Sequence, residues 1–159
     1  MLFNSFAFLV LLAVAVAAYY ILPAKTVPYM LLAASCVFYM WNEPIFIVLI
    51  LFCISINYAA AILIHKYQKK SIFIVSLILS FSLLFVFKYL VFFVDTLRYL
   101  GLNIKEADIA LPMGISFFTF QAVGYTIDVY RGEYEPERNF FKFALFIMFF
   151  PQLVAGPLE

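Results

Sequence analysis

The chain has 159 residues, of which 67% are hydrophobic and 12% charged, with a formal net charge of +1 and a mean hydropathy of +1.08. Soluble domains run at about 45–50% apolar and about 25% charged residues, so the composition excludes an ordinary soluble domain and indicates an all-α, polytopic membrane bundle. The near-neutral charge and the lack of a basic cluster with interleaved aromatics give no footing for nucleic-acid binding.

Residues 2–22 form a nearly unbroken apolar run, about long enough to cross a ~30 Å hydrocarbon core. Ala15-Val16-Ala17 imitates a cleavage site, but no Lys or Arg precedes the run, which favours a retained span over a signal peptide. Pro23 and Pro28 bracket a turn holding Lys25. Residues 29–41 are apolar but cover only about 20 Å as a helix. Such a helix tilts little, starts within the turn, or stops part-way inside the bundle. Asn42-Glu43-Pro44 combines a capping residue, an acid at the positive helix end and a first-turn proline, and predicts a helix start. Residues 45–64 follow as a full span, with Ser55 and Asn57 as interhelical hydrogen-bonders. Residues 65–70, HKYQKK, read as a solvated cytoplasmic loop carrying a surface histidine, His65.

Residues 72–97 predict a long helix with Lys88 in its outer third. An ionisable residue at that depth is a functional candidate. The competing reading is a lysine that snorkels about 6 Å to the boundary. Asp95 and Arg98 are three apart and read as an interfacial pair of little energetic weight. Residues 101–110 form a short polar connection.

The stretch 111–132, LPMGISFFTFQAVGYTIDVYRG, is too apolar for a loop and too polar for a lipid-facing span. Pro112 and Gly114 delay its helix to about Ile115. At 100° per residue, Gln121, Tyr125 and Asp128 share one stripe, and Ser116, Thr119, Thr126 and Tyr130 share another. Phe118, Ala122 and Val129 form an apolar side. Two polar stripes and one apolar side predict a helix packed among others beside a wet cavity. Asp128 and Arg131, three apart, are expected to pair as a buried anchor of that cavity wall, against the alternative of a solvated pair. Residues 131–138, RGEYEPER, read as a mixed-charge loop. Asn139 caps a helix over 140–150 that Pro151 ends, leaving Gln152 and Gly156-Pro157 in irregular backbone near membrane depth.

Alternating the spans collects Lys25, the 66–70 cluster, Arg131, Arg138 and Lys142 on one side, with Arg98 and Lys105 on the other. The first side is expected to be cytoplasmic, with the N-terminus outside. Cys36 and Cys53 sit in apolar runs as small buried hydrophobes, and the single histidine has no Cys or His partner at ligand spacing, so no metal site is expected. The candidate cavity-wall or anchoring residues are Lys88, Gln121, Tyr125, Asp128, Arg131 and Gln152. No catalytic residue is assigned within residues 1–159.

LPMGISFFTFQ at 111–121 and IDVYRG at 127–132 resemble motifs of the membrane-bound O-acyltransferases, of the alginate O-acetyltransferase and teichoic-acid D-alanylation type. Phe3-Asn4-Ser5, Phe87-Lys88-Tyr89 and FFPQLVAGP at 149–157 agree in order. Phe118 stands where tyrosine is common in the family, and Gly124 where serine is common. The resemblance implies the N-terminal portion, 1–159, of a single multi-pass membrane domain, ending before the catalytic half. It also implies an enzyme of the cell membrane that moves an acyl group, by preference acetyl, onto hydroxyls of a cell-surface polysaccharide or wall polymer. The implied donor is an acyl thioester, as acyl-CoA or acyl-carrier protein, and an accessory acyltransferase protein is an implied partner. A family histidine in a later segment would act as general base, so residues 1–159 alone are expected to be inactive. The reading from a different class is a non-catalytic scaffold, a transporter or channel component, or a degenerate remnant, since an intramembrane lysine and broken helices suit a transport path equally on physical grounds.

Overall fold

The computed structural model describes residues 6–41, 44–99 and 114–155. Within them the chain forms seven helices: α1 (Phe6–Ile21), α2 (Val27–Met40), α3 (Ile45–Tyr67), α4 (Lys70–Tyr99), α5 (Ile115–Arg131), α6 (Phe140–Met148) and α7 (Phe150–Ala155). Two stretches, Ile47–Tyr67 and Lys70–Phe87, are long and apolar enough to cross a membrane. The outward residues of α4, among them Ile74, Val75, Ile78 and Phe85, are exposed and apolar. A surface of that character suits lipid rather than water. The chain is a helical membrane bundle.

Helix α3 is its axis and packs against α2, α4, α5 and α6. Ile50, Cys53, Ile54 and Ile64 of α3 are fully or almost fully buried, as are Phe118, Ala122 and Val129 on the apolar side of α5. Asn57 is the polar centre of this interface and has no exposed surface. Its Nδ2 donates to Cys53 O and to Ser80 Oγ of α4, both at 2.9 Å. Thr126 Oγ1 of α5 lies 2.9 Å from Asn57 Oδ1 and 3.0 Å from Ala122 O, so its one hydrogen is shared between two acceptors. One carboxamide thereby ties three helices. Asn57 acts between helices as the sequence predicts. Ser55 does not: it is exposed, and its hydroxyl donates back to Leu51 O of its own helix at 2.7 Å, a local alternative open to any helical serine.

Several boundaries differ from the sequence-based expectation. Helix α2 starts within the turn, at Val27, one of the options that its short apolar run left open, with Pro28 in its first turn. Helix α3 runs on through His65, Lys66 and Tyr67, and ends where Gln68 takes φ 52° and donates its N–H to Ile64 O at 2.7 Å. Lys70 already belongs to α4, so the predicted 65–70 loop shrinks to Gln68 and Lys69. The lysines do not stop a helix because straight-chain residues favour it; the left-handed cap does. His65 is exposed on that last turn. Helix α6 ends at Met148 rather than Phe150, and Gln152 lies in α7, not in irregular backbone. Pro151 has no N–H for Ile147 O, which breaks the helix, yet proline is well tolerated in a first turn and a new helix restarts around it. Asn42-Glu43, the 101–110 connection, Leu111 to Met113 and Gly156-Pro157 lie outside the described residues, as do the side chains of Lys88, Asp95 and Arg98.

The basic segments gather at one end. Tyr29, at the start of α2, meets Phe141 at the start of α6, with ring centroids 5.7 Å apart. Phe73, at the start of α4, stacks on Tyr130 at the end of α5 at 4.3 Å. Those contacts join the ends that carry Lys25, Lys66, Lys69, Lys70, Arg131, Arg138 and Lys142.

Replacing Asn57 by leucine strands the Ser80 hydroxyl and removes one acceptor of Thr126. The expected loss is about 1–2 kcal/mol, the upper range for polar contacts between membrane helices. Reversible unfolding in detergent measures it, and Asn57→Leu combined with Thr126→Val should lose less than the sum of the single losses.

Candidate functional site

Helix α5 starts where Pro112 and Gly114 predict, with Gly114 at φ 81° and Phe118 N–H donating to Gly114 O at 2.9 Å. It ends in a Schellman turn. Gly132, at φ 77°, donates to Val129 O at 3.1 Å, and Glu133 donates to Asp128 O at 3.0 Å. The turn reverses the chain into residues 133–139, which fold back along α5. Tyr125 Oη accepts from Glu137 N–H at 2.8 Å, and Tyr58 Oη of α3 donates to Arg138 O at 2.6 Å. Glu137 Oε1 accepts from Asn139 N–H at 2.9 Å. Asn139 Oδ1 in turn caps α6 by accepting from Phe141 and Lys142 N–H. Every residue of this return loop from 137 to 139 is thus held by a named partner.

Between α5, the return loop, α6 and α7 lies a cavity of about 770 Å³, open on one side. Gln121, Gly124, Tyr125 and Asp128 line it from α5, Glu135 and Glu137 from the loop, Lys142 and Phe146 from α6, and Gln152 from α7. The stripe Gln121–Tyr125–Asp128 therefore forms one wall. The other polar stripe faces elsewhere: Thr119 and Thr126 are buried, and Tyr130 stacks on α4. Tyr125 also packs on Phe143, with ring centroids at 4.7 Å.

The deep part of the cavity is built on the α6–α7 break. In an unbroken helix Phe150 N–H would bond to Phe146 O. Here Phe150 N–H donates instead to Ser35 Oγ of α2 at 3.3 Å, and Ser35 passes its own hydrogen to Leu31 O at 2.9 Å. The released Phe146 O accepts from Gln121 Nε2 at 2.9 Å. The same amide nitrogen is 3.4 Å from Gln152 Oε1, a weak contact. Donation to a carbonyl fixes which end of the Gln121 amide is nitrogen, and its Oε1 is left buried without a hydrogen-bond partner among the described residues. Asp128, Glu135 and Glu137 are among the residues that line the cavity, together with Lys142, and one Glu137 oxygen is already engaged by Asn139 N–H.

Of the six residues singled out from sequence, Gln121, Tyr125, Asp128 and Gln152 meet on this cavity. Arg131 does not line it, and the side chain of Lys88 is outside the described residues. The expected Asp128–Arg131 pair is absent. Arg131 instead lies 3.7 Å from Glu133, with both side chains more than half exposed. The Schellman turn brings residue 133 back beside 131, while Asp128 points its stripe toward the cavity. Glu135, Glu137, Lys142 and Tyr58 were not predicted. Asn139 as a cap signalled that the loop ends there, but no local pattern announces that two tyrosines from other helices hold it.

An all-helical membrane bundle with a polar-lined cavity beside a broken helix defines the class of protein. Comparison with known proteins narrows it. The chain is 35% identical over 171 aligned residues to the probable alginate O-acetylase of Azotobacter vinelandii, covering 99% of this chain and 34% of that protein. The corresponding protein of Pseudomonas aeruginosa is also 35% identical, over 99% of this chain and 32% of its own length. The peptidoglycan O-acetyltransferase of Helicobacter pylori is 34% identical over 80% of this chain and 30% of that protein. The chain spans about a third of the length of the curated relatives it matches. No family model matches, and no solved structure matches. The chain is a relative of the membrane-bound O-acyltransferases of the alginate O-acetylase type.

Two outcomes are expected from substitution. Gln121→Leu removes the only described donor to Phe146 O, and loss of one such hydrogen bond costs about 0.5–1.5 kcal/mol. Thermal unfolding in detergent should show it. Arg131→Ala should change stability by less than about 1 kcal/mol, because an exposed ion pair contributes no more; a larger loss would give Arg131 an anchoring role.

Proposed function

We propose that this chain forms part of a membrane O-acyltransferase and supplies a wall of its substrate cavity. The reaction is transfer of an acyl group, by preference acetyl, from a thioester to a hydroxyl of a cell-surface polysaccharide or wall polymer. Relatives named for alginate and for peptidoglycan acetylation support an extracellular polymer as acceptor. The observation that carries the reading is that Gln121, Asp128 and Gln152, each within a stretch that resembles the family's motifs, converge with Tyr125 on one cavity at the broken helix. The donor, acyl-CoA or an acyl-carrier protein, approaches from the basic end, which we assign to the cytoplasm of the cell membrane, with the N-terminus outside. An accessory acyltransferase protein would complete delivery to the polymer.

The general base comes from outside residues 1–159. His65 sits exposed on the last turn of α3, and the cavity lining contains no histidine. The intact protein in proteoliposomes should transfer radiolabelled acetyl from acetyl-CoA or an acetylated carrier protein to alginate or peptidoglycan fragments. His65→Ala should leave the rate within about twofold, as expected of a residue that contributes nothing to the transition state. Folded protein that transfers to neither polymer would overturn the acceptor assignment, and loss of transfer in His65→Ala would make His65 the base.

A further inference from the structure

Between Glu43 and Asp95 the sequence holds no acidic residue, so the α3–α4 hairpin is purely basic. Its turn carries Lys66, Lys69 and Lys70, all exposed. Lys66 lies over the ring of Tyr67, with Nζ 5.3 Å from the centroid. No carboxylate among the described residues pairs with any of the three lysines. The stack of Phe73 on Tyr130 brings the end of α5 beside this turn, but Glu133, the carboxylate there, is engaged by Arg131 at 3.7 Å. Three ammonium groups so close repel one another, and nothing described at the turn offsets them.

The surface next to the turn narrows what can neutralise it. Lys70, Ile74 and Ile78 follow one another at intervals of one turn and share a face of α4. Ile74 and Ile78 are exposed, and Phe81 and Phe85 continue the same face, also exposed. On α3, Leu63 stands one turn before Lys66 and is exposed too. Each helix of the pair thus carries bare apolar surface that ends in a lysine. These two helices hold the stretches long and apolar enough to cross a membrane, so the ammonium groups stand where hydrocarbon gives way to headgroups. A soluble acidic partner matches the charge and leaves the apolar stripe uncovered. A molecule with a negative head and an apolar tail matches both. We propose that the α3–α4 turn binds an anionic phospholipid of the leaflet at the basic end, with its phosphate held by Lys66, Lys69 and Lys70 and an acyl chain laid along Ile74 and Ile78. Tyr67 sets its ring at headgroup level beside them. The bound lipid fixes the depth of the hairpin in the bilayer, and with it the depth of α5, which packs on both of its helices. The site does not depend on the acyl-transfer reading.

Photocrosslinking of the intact protein in phosphatidylcholine nanodiscs tests it. The discs hold a trace of phosphatidylglycerol, or of phosphatidylcholine with the same chains, carrying a diazirine in one acyl chain, and adducts are mapped by mass spectrometry. Adducts on residues 71–85 should form with phosphatidylglycerol in about tenfold or greater excess over phosphatidylcholine. One lysine near an anionic lipid is worth about fivefold in affinity, so Lys69→Gln should lower that ratio by about fivefold. The combined Lys66→Gln, Lys69→Gln and Lys70→Gln variant should bring the ratio close to parity, and the single variant keeps the test available if the combined one does not fold. Arg131→Gln, whose charge is already paired, should leave the ratio within about twofold. Equal labelling by the two lipids in the wild type overturns the site, as does a preference that survives in both lysine variants. A folded triple variant that keeps its lipid preference but no longer accepts acyl groups from an acidic carrier protein assigns the lysines to a protein partner and overturns it equally.

Discussion

Proline 151 sets the constraint on which the cavity depends. Breaking a helix inside a membrane protein releases backbone groups that lipid cannot satisfy, and each such group is costly unless the protein supplies a partner. Two side chains answer the break. Ser35 accepts the Phe150 N–H, and Gln121 donates to the Phe146 carbonyl. They come from α2 and α5, on different sides of the broken element. The break thus does more than bend α6: it fixes where α2 and α5 stand relative to it. Phe8, Phe38 and Phe150 close the outer side, with Phe150 ring centroids 6.1 Å from Phe8 and 5.8 Å from Phe38. The break is held by hydrogen bonds within and by aromatic packing without.

Asn57 and the cavity divide the polar content of the bundle between two purposes. At Asn57, both amide hydrogens and the carbonyl oxygen find partners on α3, α4 and α5, and nothing is left over for a ligand. A fully satisfied buried network rigidifies its surroundings. On the opposite flank of α5, Gln121 is satisfied at its nitrogen only. The same helix therefore carries one closed polar contact and one open one. Thr126 belongs to the first and Gln121 to the second, and they lie on the two stripes that the 100° periodicity separates. The closed side gives the helix a fixed position, so that the open side presents its groups in a fixed arrangement.

This division explains what was legible in the sequence. The two stripes of α5, its start at Ile115, the Asn139 cap and the role of Asn57 follow from local rules of spacing, glycine and capping, and the structure agrees with each. The misplaced features all depend on partners far along the chain or on a backbone cap invisible to composition. Residues 65–67 stay helical because Gln68, not a lysine, adopts the left-handed conformation. Arg131 turns to Glu133 because Gly132 reverses the chain. Helix α7 forms because a proline that ends one helix is compatible with the first turn of the next. Cavity walls contributed by Glu135, Glu137 and Lys142 require Tyr58 and Tyr125 to meet the return loop 80 and 12 residues away respectively. No single-sequence pattern encodes that meeting.

The return loop completes the argument for a cavity formed in advance of its ligand. An exposed loop of seven residues between two helices would ordinarily sample many conformations, and ordering it on binding would weaken affinity by the entropy lost. Here the ordering is done by the fold. The Schellman turn sets its start, Tyr125 and Tyr58 hold residues 137 and 138, and Asn139 sets its end. Phe140 and Phe143 pack against Tyr58, with centroids at 5.3 and 5.9 Å, so the tyrosine that holds the loop also holds the helix after it. The carboxylates of the loop therefore stand at the cavity before anything enters it, and their charge acts on an arriving molecule as selection rather than as adaptation.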